Sequence, residues 1–116
     1  LGPECSAALR AFGTPLANFC IDIQKAVQQF ALTWTRLDGF DLPDPIAIAI
    51  ALDPSVATET QQRFVAIETQ SELCRGQSVV DHLQIMGYEP NAEVVMEASH
   101  EKFVQMLFDA VRGTKL

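Results

Sequence analysis

Cationic side chains are sparse in this chain. Eight Lys and Arg stand against fifteen Asp and Glu, for a net charge of −7. The basic residues are scattered rather than gathered into a run. A phosphate backbone is gripped by clustered Lys and Arg, so no nucleic-acid partner is expected. Cysteine is scarce too. Cys5, Cys20 and Cys74 are odd in number and show no CxxC spacing, which fits reduced, buried, structural thiols in a cytoplasmic protein better than a disulfide framework. The two histidines, His82 and His100, lack any Cys, Asp or His at ligand spacing and read as surface residues. No apolar run approaches the roughly 20 residues needed to cross a bilayer, so no membrane partner is expected. Arg75-Gly76 lacks the Gly-rich spacing of a phosphate loop, and Ser71 has no companions for a triad. No signal peptide is visible. The chain opens at Leu1 without an initiating Met and reads as a piece of a longer polypeptide.

What is present suits a folded core. The 116 residues are 48% apolar, enough for one small domain at most. Pro3 to Phe12 reads as a short helix that Gly13 ends. Thr14-Pro15 is a second start signal, with Thr as N-cap and Pro in the first turn. Behind it runs the clearest helix, with Leu16, Phe19, Cys20, Ile23, Val27, Phe30, Ala31 and Trp34 at three- and four-residue steps. Arg63 to Thr69 and Gln77 to Asp81 read as strands, with a bend at Arg75-Gly76 between them. Gly87 to Asn91 is a turn. The alternation from Ala92 to Ala98 is strand-like. Ser99 suits the cap of a last helix through Arg112, carrying Phe103, Leu107 and Ala110 or Val111 as its stripe, with Gly113 as its end. These elements leave apolar helix faces without enough sheet to cover them, as expected of part of a larger α/β layer.

The segment Leu37 to Pro54, LDGFDLPDPIAIAIALDP, sets Asp44 at the mouth of an almost wholly apolar run. The period of two in Ile46 to Leu52 suits a strand. Asp44-Pro45 before it, and the preference of Ala for helix, favour a short helix that is apolar all round and therefore buried. An acid there needs a helix terminus, a cation or a proton to justify it. N-capping of Ile46 to Leu52 is one role open to Asp44.

Leu37, Asp38, Gly39, Leu42, Asp44 and Pro45, closed by Asp53-Pro54, resemble a motif of the inosine-uridine-preferring nucleoside hydrolases. Leu1 to Glu4, Leu9 to Ala17, Val65 to Gly76, Val79-Val80-Asp81, Pro90 to Val95 and Phe103 continue the resemblance in the same order. Essentially the whole chain, 1–116, is similar to the C-terminal part of a single domain of that family. The family's N-terminal aspartate cluster is not in this sequence. The implied fold is α/β, a C-terminal fragment of an open, mostly parallel sheet flanked by helices.

The resemblance implies an enzyme of nucleoside catabolism, an N-ribosyl hydrolase splitting purine or pyrimidine nucleosides into base and ribose. It would use water activated by Ca²⁺ in the intact parent, for which a homo-oligomer is one open arrangement. Asp44 falls on the family's C-terminal metal aspartate. Pro43 occupies the place of an acid His and has no proton to give, so no catalytic residue is assigned. Trp34 and Phe30 are candidates to stack on the base, or else core residues on the apolar stripe. Asp38 and Asp41 read as solvated loop acids, and Arg75 as a structural partner of Glu68 or Glu72. One carboxylate cannot hold calcium, so the isolated chain is expected to be inactive. A non-catalytic binding or assembly protein of the same family is the alternative, and a small self-contained interaction module the third. Exposed apolar faces on the long helix would argue against the third.

Overall fold

Thr14 organises the first helices. Its hydroxyl accepts the Ala17 N–H at 3.1 Å as N-cap and donates to the Val111 carbonyl at 2.7 Å. One side chain thus satisfies an orphan donor at one helix start and an orphan acceptor at another helix end. α1 (Pro3–Ala11) precedes it and α2 (Pro15–Ile23) follows, both with Pro in the first turn. Gly13, at φ +66, makes the left-handed exit between them. Arg10 of α1 meets Asp22 of α2 at 2.6 Å, and Lys25 joins the same carboxylate at 3.0 Å.

The computed structural model describes residues 1–113, in two compact units. The first takes Leu1–Val56 and the helix that begins at His100. After α2 the chain tightens at Gln24 and continues as α3 (Lys25–Phe30). It then widens into a π turn over Ala31–Thr35 and stops at Arg36, at φ +56. α4 (Pro43–Leu52) and a 3-10 turn at Pro54–Val56 follow. α5 (His100–Val111) carries buried Phe103 and Val111, and Gly113 exits at φ +90. The core of this unit gathers Leu9, Ala17, Ile21 and Val111, with Leu1, Phe12, Leu107 and Phe108 against it. Phe12 and Phe108 pack edge to face at 5.5 Å, with Arg112 stacked over Phe12.

The second unit, Ala57–Ser99, is β ribbon. β1 (Ala57–Arg63) pairs antiparallel with β4 (Ala92–Ala98), and β2 (Val65–Ile67) with β3 (Ser78–Val80). Bulges flank Glu59. Asn91 stands in for a strand neighbour: its side chain accepts the Val65 N–H at 2.8 Å and donates to the Val65 carbonyl at 2.9 Å.

Several expectations are corrected here. The strand expected over Arg63 to Thr69 is present but shorter, as β2 over Val65–Ile67, while Arg63 closes a separate strand over Ala57–Arg63 that was not expected. The α/β fragment is present, but the strand pairs among the described residues are antiparallel, so these residues do not carry the parallel part of the sheet. Ile46 to Leu52 is helical but not buried: Ala49 is, whereas Ile48 and Leu52 are exposed. The three cysteines are half-buried rather than buried. Burial still pushes the Cys5 thiol up, opposed in part by the N-terminal ammonium.

Candidate functional site

The site candidates lie on the π turn, the loop 36–42 and the first turn of α4. The π turn forms because the Ala31 carbonyl collects several donors. It accepts the Thr35 hydroxyl at 2.7 Å, the Arg36 N–H and, more weakly, Leu37 N–H at 3.4 Å. A wide terminal turn of this kind often marks functional positions. Trp34 on it is 77% exposed, and Phe30 one turn earlier is 57% exposed. The core reading of these two aromatics therefore does not hold in this chain. Both side chains are largely exposed, at the spacing that places them on one side of a helix.

Loop 36–42 is pinned to the first residue. The Leu1 ammonium donates to the Phe40 carbonyl at 2.6 Å, and Phe40 N–H returns to the Leu1 carbonyl at 3.1 Å. Phe40 is buried. Gly39 permits this approach, because a Cβ there would stand 2.6 Å from the Leu1 oxygen. The glycine of the Leu-Asp-Gly motif is thus a close-approach residue. Asp38 and Asp41 are exposed, as expected of solvated loop acids.

α4 starts two residues earlier than Asp44-Pro45 suggests, with Leu42 as N-cap and Pro43 in the first turn. Asp44 lies inside that turn and makes no capping hydrogen bond. N-capping therefore does not account for the residue. Its exposed carboxylate still sits in the favourable field of the helix N-terminus. Beside it an apolar groove of about 420 Å³ opens between α4 and α5, lined by Pro45, Ile48, Leu52, Phe103 and Met106 among others.

Among the described residues no group of three or more His, Cys, Asp or Glu could hold a metal ion. Ca²⁺ takes about 6–8 oxygen ligands. Asp44 alone does not meet that demand, so this chain by itself does not fit calcium.

Two further acids hold local backbone. The Glu68 carboxylate accepts Gln70 N–H at 2.5 Å and Ser71 N–H at 2.9 Å. These bonds, that of Ser71 foremost, hold Glu68 below its usual range. Ser71 Oγ in turn accepts Leu73 and Cys74 N–H. Arg75 forms no ion pair with Glu68 or Glu72 among the described residues, because Glu68 is committed to backbone. Asp81, which the sequence reading placed at a strand end without giving it a role, is buried and accepts Ile85 and Met86 N–H. Its signal was an Asp closing an apolar strand before a turn, the setting of an Asx-type turn. His82 and His100 are exposed.

The sequence pattern of the inosine-uridine preferring nucleoside hydrolases matches residues 1–105. The chain belongs to that family. Its relatives include the pyrimidine-specific ribonucleoside hydrolase RihA of Shigella flexneri serotype 5b (strain 8401) and that of Escherichia coli O17:K52:H18 (strain UMN026 / ExPEC). Each is 31% identical over 111 residues, covering 94% of this chain and 35% of the relative. A purine-preferring ribonucleoside hydrolase from Gardnerella vaginalis shares the fold, with a TM-score of 0.71 at 21% identity, covering 97% of this chain and 35% of that one. The chain thus spans about a third of the length of these relatives. No helix among the described residues is long and apolar enough to cross a membrane.

Proposed function

We propose that residues 1–116 are the C-terminal part of a single nucleoside-hydrolase domain whose intact form hydrolyses the N-glycosidic bond of ribonucleosides in the cytoplasm. The observation that carries this reading is Asp44. It is exposed, uncapping and free at a helix mouth, in a chain whose family match covers residues 1–105. In the intact domain Asp44 would be one oxygen ligand of Ca²⁺, with the other ligands supplied from outside this chain. A bound cation makes water a better nucleophile at neutral pH.

The remaining work assigned to this chain is binding and positioning. Trp34 and Phe30 offer exposed rings for stacking on the base, which orients the ribose toward the metal-side carboxylate. Stacking accepts either base class, consistent with relatives named for pyrimidine specificity and for purine preference. Gly39 and Phe40 fix the loop that leads into Asp44. Pro43 has no proton to donate, so the leaving base is protonated from another group or leaves on the strength of stacking and solvent.

The test is a nucleosidase assay on the full-length parent, with and without chelator, beside Asp44→Ala. Activity lost in both arms is expected. Activity untouched by both would sink the calcium mechanism. Pro43 also favours a second reading, a family member kept for binding or assembly. A parent that binds nucleoside but never cleaves it would select that reading.

A further inference from the structure

Trp34 is the only tryptophan in the sequence, and it is 77% exposed. A side chain so open has little packing to set its direction, so the backbone that carries it must do so. That backbone departs from an α-helix. The Ala31 carbonyl is bonded by the Arg36 N–H, five residues on, where an α-helix would use the N–H four residues on. The Thr35 hydroxyl donates to the same carbonyl at 2.7 Å. Arg36 then takes φ +56, a left-handed conformation usually left to glycine at a helix end. A long side chain held there carries strain, which persists only where the surroundings fix the backbone. A Thr hydroxyl bonded to the carbonyl four residues back is a known cause of helix distortion. Ala31 is buried, so this bond ties an exposed turn to the core side of the helix.

We propose that Thr35 is the positioning residue of the stacking site. Its hydroxyl holds the wide turn, and the wide turn aims Trp34 so that its ring and that of Phe30 address one base. Phe30 lies just before the turn and Trp34 within it, so the angle between the two aromatic side chains is set there. The extra residue redirects side chains by part of the roughly 100° that one residue spans in an α-helix. This role rests on the stacking assigned to the two rings above. Thr35 itself touches no ligand; it acts through Trp34.

Binding by the intact parent tests this. The probes are pseudouridine and formycin B, nucleosides whose C–C glycosidic bond is not hydrolysed, titrated by calorimetry. Thr35→Val keeps the shape of the side chain and removes the donor, whereas Thr35→Ser keeps the donor. The position is exposed, so both variants should stay folded. Thr35→Val should weaken both probes about tenfold, a fraction of what a stacked ring contributes. Thr35→Ser should stay within about threefold of the parent. Trp34→Ala should weaken binding by about tenfold or more, and adding Thr35→Val to it should change the affinity by less than about twofold, because the residue being aimed is gone. With 5-fluorotryptophan incorporated, the fluorine resonance that Trp34→Phe removes should shift in Thr35→Val and hold its place in Thr35→Ser. Three results would overturn the proposal: Thr35→Val binding like the parent while Trp34→Ala is weakened, a loss in Thr35→Val that Thr35→Ser shares or that persists in the Trp34→Ala background, or a Trp34 resonance indifferent to Thr35→Val. If Trp34→Ala itself binds like the parent, the stacking reading fails and the role of Thr35 falls with it, an outcome that this arm tells apart from the other three.

Discussion

At the scale of single residues, the site region depends on small contacts with large leverage. Gly39 has no room for a methyl group, because backbone of Leu1 and Gly2 crowds the position. Gly39→Ala should destabilise the chain by about 1–3 kcal/mol, the usual cost of overpacking a tight contact. Gly2→Ala, whose Cβ would make an ordinary 3.6 Å contact, is the control and should change little. Thermal unfolding followed by circular dichroism separates the two. Asp81 is the other exacting position. Asp81→Ala strips the acceptors from Ile85 and Met86 N–H and should cost about 1–3 kcal/mol. Hydrogen exchange would report it as lost protection at those two amides. Neither residue was singled out by sequence pattern for what it does. A close backbone approach, and a buried carboxylate answering N–H groups in the turn that follows it, are properties of the folded path, and periodicity carries no trace of them.

At the scale of elements, punctuation in the sequence was the most legible feature. Thr14-Pro15, Gly13 and Gly113 mark their boundaries because each has a local reason to be there: a hydroxyl acceptor, a fixed φ, a left-handed exit. The strand Ala57–Gln62 was illegible because ATETQQ offers no apolar alternation; β1 is held by its ladder to β4, not by burial. The break at Gln24 and the π turn were equally hidden, since the apolar stripe runs through both without a change of period. Thr14→Val should loosen two elements at once, costing about 1 kcal/mol for the cap and a similar amount for the bond to Val111. Exchange at the α2 amino end and α5 carboxyl end would rise together. Acid should act on the turn after β2. Glu68 has a depressed pKa in the folded state, so its stabilisation is complete above the ordinary Glu range, near pH 4.3, and is lost as pH falls through the lower folded value. Asp22, lowered by Arg10 first and Lys25 second, titrates in the same sense and frees α1 from α2. Amide exchange between pH 5 and pH 3 should therefore show the Gln70 and Ser71 amides opening in the lower part of that range, whereas Glu68→Gln should remove the pH dependence there.

At the scale of the whole molecule, the apolar stripe that the sequence marks as core is real as a pattern and unburied as a surface. That combination argues against a self-contained module, which must cover its own apolar faces. The candidate site is incomplete in the same way. The family match and the motif around Asp44 were legible from residue identity, whereas the described residues bring no group of three or more His, Cys, Asp or Glu together around it. The isolated chain should accordingly bind Ca²⁺ no tighter than about millimolar, the range of weak sites.

The most direct measurement is a calorimetric Ca²⁺ titration of the intact parent domain beside its Asp44→Asn variant. The account predicts stoichiometric binding by the parent and a loss of at least about tenfold in affinity when the carboxylate becomes an amide, as expected on removing a charged oxygen ligand. Equal affinity in the two proteins, with the variant folded, would contradict the assignment of Asp44 and with it the proposed role of this chain.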